Sequence, residues 1–175
     1  DNNIFRECVT VHRGTIQDNS LTAIGSDNLF MAYAHIAHDC TIGDNNILAN
    51  NASLAGHVQV GDWCILAGFV CVHQFCHIGS HSFCAANSLI LKDVPPYVMA
   101  SGLKAEPFGL NTEGMKRRGF EKDTITAIKR AYRQVYRKGQ TVAEAVAELG
   151  EASDTYPQVK LFTDFIVNSP RGIIR

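Results

Sequence analysis

Two histidines, a carboxylate and a thiol fall within six residues in the stretch Ala34-His35-Ile36-Ala37-His38-Asp39-Cys40. Such a set could form half of a zinc site, a general base with its orienting acid, or an ordinary turn. Spacing alone leaves the three open. Further imidazoles and an amide follow at His57, His73 and Gln74, and a basic run, Lys116-Arg117-Arg118, lies farther along. What these groups can do together depends on the elements that carry them.

Every sixth residue from Ile24 is apolar: Ile24, Phe30, Ile36, Ile42, Leu48, Leu54, Val60, Leu66, Val72, Ile78, Cys84 and Ile90. At 46% apolar composition, chance over six frames produces such a run about once in two thousand. The next position is Gly or Ala in nine of the twelve hexads, and the fifth is mostly small, as at Ala34, Cys40, Ala52 and Cys64. A period of six fits neither an α-helix nor an amphipathic strand. It predicts a hexapeptide parallel β-helix, with the aliphatic residue filling a triangular interior and the Gly or Ala permitting the corner. Three hexads then make one coil, and residues three hexads apart share a vertical stack.

In this frame His38 takes an outward slot, in line with Gly56 and Gln74, while Asp39 is in line with His57. An outward histidine beside an acid, under a glycine whose N–H no side chain crowds, fits an acid–base site with an oxyanion donor. It fits a solvated turn histidine as well. Cys40, Cys64 and Cys76 fall in the small inward slot and Cys84 in the aliphatic slot, so they read as buried small hydrophobes. No C-x-x-C pair and no signal peptide is present, and the six cysteines read as reduced thiols.

The frame extends back to Phe5 and Val11 and breaks at TIQDNSLTA (15–23), which reads as a loop inserted in a coil. Asp1 would be the third residue of a hexad, so earlier coils are expected to be missing. Pro95-Pro96 ends the repeat. The predicted organisation is therefore a β-helix over 1–97 and a C-terminal helical domain over 98–175. Within the latter, 98–110 reads as irregular, and helical periods cover 112–118, 123–138, 142–152 and 157–168. No apolar run reaches membrane-spanning length, and the net charge of −1 points away from nucleic acid. The average hides a split. Residues 1–91 hold two Lys/Arg against seven Asp/Glu, whereas 92–138 hold eleven against five, which predicts an anionic partner for the second part.

Together, AHIAHDC, LAGHVQV, VHQFCHIG, DVPPYV and EPFGLNTEGMKRRGF resemble the UDP-N-acetylglucosamine O-acyltransferases that start lipid A synthesis in Gram-negative bacteria. The likeness runs from RECVTVHRGT to SPRGIIR. It implies an all-β left-handed parallel β-helix with a C-terminal helical domain, a cytoplasmic homotrimer, and active sites between neighbouring β-helices. The implied reaction moves a 3-hydroxyacyl group from acyl carrier protein to the 3-hydroxyl of UDP-N-acetylglucosamine. It further implies His38 as general base, Asp39 as its orienting partner and the Gly56 N–H as oxyanion donor. His35, His57, His73 and Gln74 would line the substrate site; Asn111, Glu113, Arg117 and Arg118 would hold the nucleotide sugar; Gly68 and Ala86 would gauge acyl length. The thioester is already activated, so no metal or cofactor is required. The family often carries a histidine where this chain has Lys104. Rival readings are the related N-acyltransferase of the same pathway, a zinc hydratase on the same scaffold using His38, His57 and His73, and a non-catalytic structural β-helix.

Overall fold

A computed structural model describes residues 1–16 and 20–175 of the chain. The expected inserted loop over 15–23 thus lies partly, at 17–19, outside the described residues. The chain folds as a left-handed parallel β-helix followed by helices. Two-residue strands stack in register on three faces: Leu29, Ile47, Ile65 and Phe83 on one, His35, Ser53, Cys71 and Leu89 on the next, and Thr41, Gln59 and His77 on the third. Partners are 18 residues apart. Only across the insertion does the offset grow to 25, where Ile4 pairs with Leu29 and Thr10 with His35. The aliphatic slot is sealed, with Ile36, Leu48, Leu54 and Leu66 all at 0% exposure. Each such burial contributes about 1.5–3 kcal/mol.

The corners are built differently from the expectation. The left-handed backbone falls every sixth residue from Asp27 to Asn87, at non-glycine residues including Asp39 and His57, with φ between +58° and +63°. The glycines two positions earlier serve close packing instead. A Cβ on Gly43 would lie 2.1 Å from Asp62 Oδ1, and one on Gly79 would lie 2.4 Å from the Pro96 nitrogen. Gly43 thereby leaves room for the Asp62 carboxylate, which accepts the Asp44 N–H at 2.8 Å.

The stretch 98–110 is not irregular. Val98–Ser101 pairs in parallel with Phe83–Cys84, and Glu106–Leu110 folds back antiparallel on it. The prolines interrupt hydrogen bonding only locally, and the sheet resumes beyond them. Helices follow: α1 (Thr112–Arg117), α2 (Lys122–Arg137), α3 (Val142–Glu148), α4 (Gly150–Thr155) and α5 (Pro157–Val167). The single helix expected over 142–152 is split at buried Leu149, whose N–H turns back to Val146 O (3.0 Å) with φ −90° and ψ 1°.

One aromatic stack ties the helical segment to the β-helix. His81 lies between Trp63 (6.5 Å) and Tyr97 (5.5 Å), with Phe120 edge-on at 5.0 Å. Asn111 Nδ2 donates to His81 O (2.9 Å), and Arg118 Nη1 contacts His81 Nδ1 (3.2 Å) with its guanidinium 5.2 Å above Trp63. Arginine is always a donor, so His81 Nδ1 must accept. Burial, then the Arg118 charge, lowers the His81 imidazole to about 4, Asp62 opposing weakly.

Two tests follow from this packing. Gly79→Ala should lose about 1–3 kcal/mol through overpacking against Pro96, while Gly68→Ala, whose nearest neighbour is Asn50 O at 3.5 Å, should stay within about 0.5 kcal/mol in denaturant unfolding. The unfolded chain binds a proton at a histidine near 6.5, whereas folded His81 resists it until about 4. Stability should therefore fall as pH drops through that window. Thermal melts of His81→Asn should be flatter than wild type between pH 6.5 and 4; parallel curves would remove His81 as the cause.

Candidate active site

Asp39 sits at the corner between the second and third faces, two residues after the buried pair Ile36 and Ala37. Its side chain is 1% exposed, against 42% for neighbouring His38. Asp39 Oδ2 meets His38 Nδ1 at 2.8 Å, and Thr15 donates its N–H to Oδ1 (2.9 Å) and its hydroxyl to Oδ2 (2.8 Å). Burial works to raise the carboxyl, but the hydrogen bonds from His38 and Thr15, with His57 nearby, outweigh it and hold it down at about 2. The carboxylate is thus ionised and accepts only, which places the His38 proton on Nδ1 and leaves Nε2 with its lone pair.

The coil above completes the arrangement. A Cβ on Gly56 would lie 2.6 Å from His38 Cε1 and 2.8 Å from Nε2, so glycine is what lets the imidazole sit over this backbone. Among the described residues the Gly56 N–H meets no acceptor. At the next corner, by contrast, Asp44 Oδ1, Asp62 Oδ1 and Ser80 Oγ take the equivalent N–H groups of Ser26, Asp44 and Asp62. A proton acceptor and an uncommitted backbone donor therefore lie side by side on the surface. A cavity of about 920 Å³, lined by residues including His12, Arg13, Thr15 and His38, opens beside them.

His57 stands above Asp39 in the neighbouring stack, edge-on to His38 at 5.1 Å and flat against Phe75 at 4.5 Å. His35 Nδ1 contacts Thr10 Oγ1 (2.7 Å), and burial, then His12, lowers its imidazole. His73 Nδ1 donates to the Gln74 carbonyl oxygen at 3.1 Å, and Gln74 is exposed two coils above His38. His35, His38, Asp39, Gly56, His57, His73 and Gln74 accordingly gather along one face and its corner. Cys40 is buried, its thiol raised by desolvation and directed at Ala55 O (3.2 Å), in keeping with a packing role.

The other expected residues are elsewhere. Asn111 caps α1, accepting from Gly114 N (3.0 Å), and Arg118 is engaged with His81 and Trp63, both at the corner between the third and first faces. Glu113 pairs with Lys116 at 2.7 Å, and Arg117 is exposed. Gly68 and Ala86 are stacked over Asn50 at the remaining corner. A face of about five extended residues spans roughly 16 Å. One chain therefore keeps these three groups apart on three edges of a prism.

His38, Asp39 and His57 have ligand-type atoms within 4.8 Å of one another, the kind of set that can take a divalent ion. Both Asp39 oxygens already accept hydrogen bonds, however, and binding a metal there would break them. The arrangement suits proton transfer better than ligation. Sequence reading missed Thr15 and Thr22, which contact Asp39 from the insertion. A signal was present: the frame breaks between Val11 and Ile24, at the corner one coil before Asp39.

The chain is similar to known proteins over its whole length. Residues 93–174 match the family described as Udp N-acetylglucosamine O-acyltransferase, domain 2, and residues 22–56 match the bacterial transferase hexapeptide repeat. The acyl-[acyl-carrier-protein]–UDP-N-acetylglucosamine O-acyltransferase of Pseudomonas fluorescens Pf0-1 is 56% identical over 175 residues, covering 100% of this chain and 68% of that protein. Its namesake in Thiobacillus denitrificans is 53% identical with the same coverage. Among solved structures, the UDP-N-acetylglucosamine O-acyltransferase of Moraxella catarrhalis RH4 superposes with a TM-score of 0.97 at 49% identity, again covering 100% of this chain and 68% of that one. No helix among the described residues is long and apolar enough to cross a membrane. The chain belongs to the UDP-N-acetylglucosamine O-acyltransferase family.

Proposed function

We propose that this protein transfers a 3-hydroxyacyl group from acyl carrier protein to the 3-hydroxyl of UDP-N-acetylglucosamine, the opening step of lipid A synthesis, in the cytoplasm. The observation that carries the reading is the His38 ring, held by ionised Asp39 with Nε2 facing outward beside the open Gly56 N–H. His38 Nε2 takes the proton of the sugar hydroxyl as its oxygen attacks the thioester carbonyl. Negative charge collects on the carbonyl oxygen, where the Gly56 N–H donates to it. The C–S bond then breaks, and the proton on His38 passes to the leaving thiolate. Histidine is suited to both transfers near neutral pH. Asp39 holds the ring in one tautomer and stabilises the imidazolium.

His35, His57, His73 and Gln74 lie along the same face and would contact the sugar and the pantetheine end of the donor. Asn111, Glu113, Arg117 and Arg118 would hold the nucleotide, the arginine forks matching diphosphate oxygens. Gly68 and Ala86 would line the acyl chain's far end. These groups occupy different corners of one prism, so they can serve a single substrate only where corners of separate copies abut. A homotrimer of parallel prisms achieves that with every corner used once. The basic face of α2, with Lys129, Arg130, Arg133 and Arg137, would receive the acidic carrier.

His38→Ala should leave the secondary structure and assembly unchanged while cutting kcat to below about a tenth of wild type in an assay with UDP-N-acetylglucosamine and 3-hydroxyacyl carrier protein; a variant retaining more than that is not missing its base. Ala86 adds one methyl to its corner stack, and a methylene in an apolar pocket changes selectivity by about 1–3 kcal/mol. Ala86→Gly should shift kcat/KM ratios toward longer acyl donors and Ala86→Met toward shorter ones. Ratios that stay constant across the donor series in both variants would place the length gauge elsewhere.

A further inference from the structure

The regular corners share one hydrogen bond. The left-handed residue donates its N–H to a backbone carbonyl one coil below, as His57 does to His38 O, Phe75 to Gly56 O and Trp63 to Asp44 O. Asp39 departs from this rule. Its N–H goes to the hydroxyl of Thr22 at 2.9 Å, and Thr22 in turn donates to His12 O at 2.7 Å. The insertion has removed the carbonyl that a regular coil would present and replaced it with a side chain. At its other end, Thr15 sends both its N–H and its hydroxyl to the Asp39 carboxylate. The two ends of the insertion therefore clasp the same residue, one by its backbone and one by its side chain.

We propose that Thr15 is a positioning residue for acyl transfer, acting through Asp39 to keep the His38 imidazole in its Nδ1–H tautomer with Nε2 toward the acceptor hydroxyl. The carboxylate would otherwise stand at an open corner, solvated by water and free to rotate. Thr15 excludes that water and supplies two fixed donors, so Oδ2 is held in place between the Thr15 hydroxyl and His38 Nδ1. A dipole already oriented when charge develops on the imidazole costs no reorganisation during the reaction. The insertion is then the support of the dyad, and it rests on the assignment of His38 as base. Among the described residues, the titratable groups facing Asp39 are His38 and His57, with the Cys40 thiol adjacent.

The test compares Thr15→Val, which keeps the N–H and shape but loses the hydroxyl, with Thr15→Ser, which keeps both donors. Thr15→Val should lower kcat about tenfold, the scale of one lost hydrogen bond to a charged group, with KM for the nucleotide sugar little changed. With one donor fewer on Oδ2, more of the Asp39 charge acts on the His38 imidazolium, so the acid limb of the kcat/KM profile should move to higher pH. Imidazole ¹⁵N spectra, assigned with His38→Ala, should show the His38 Nδ1–H signal weakened in Thr15→Val and retained in Thr15→Ser. Wild-type kcat, pH limb and tautomer signal in Thr15→Val, whatever its melting temperature, would overturn the proposal, as would equal impairment of the serine variant. Should wild type itself transfer no acyl group while the tautomer signal responds as described, the positioning role stands and the acyl-transfer reading fails.

Discussion

An 18-residue coil confines every residue to one vertical stack, on a face or at an edge of the prism, and the rest of the structure follows from that constraint. Parallel strands of two residues cannot drift in register, because each aliphatic residue must land on the one below to fill the prism. His38 is accordingly placed against Gly56 by the same repeat that buries Ile36 and Leu54. Core packing and site geometry share one period. A residue inserted in the wrong place would misalign both, which is why the seven extra residues before Ala23 leave through a corner and not through a face.

At the His38 corner the fold departs from its own regularity in two ways, each with a chemical result. Glycine replaces a side chain at position 56, which gives the imidazole room, and among the described residues its backbone N–H meets no acceptor. The Thr22 hydroxyl takes the Asp39 N–H where a regular coil would present a carbonyl, and Thr15 gives its N–H and its hydroxyl to the ionised Asp39 carboxylate. The neighbouring corner uses the same positions for structure, with Asp44, Asp62 and Ser80 capping the N–H groups of the coil below. Comparable backbone thus serves stability at one edge and remains available for reaction at another.

The helical segment meets the prism at its C-terminal end, where Ser169 and Gly172 bond Asp93, and at a specific joint around His81. His81 accepts from Arg118 on its ring and from Asn111 on its carbonyl, and it stacks in line with Trp63 and Tyr97. Neutral imidazole is required there, since a protonated ring would face the guanidinium. The basic helix α2 follows this joint in the chain, and the eleven Lys/Arg of residues 92–138 include Arg118, which packs on the β-helix at His81 and Trp63.

The period of six apolar residues, read without coordinates, was enough to place His38, Gly56 and Gln74 on one outward line and to bury Cys40, Cys64 and Cys76. Periodicity of that kind is a local property repeated, and pattern alone reports it. Tertiary structure decided what pattern does not encode. The left-handed turns fall on Asp39 and His57 and not on glycine, because the glycines are needed for clearance beneath the next coil. The stretch 98–110 is a hairpin because an open sheet edge at Phe83–Cys84 recruits it past the prolines. Leu149 breaks a helix of sound propensity because its side chain is buried where the chain turns. Thr15 and Thr22 reach Asp39 across 24 and 17 residues; such contacts depend on how a loop closes in space, and the identities of two threonines in an irregular stretch carry no period from which to read it.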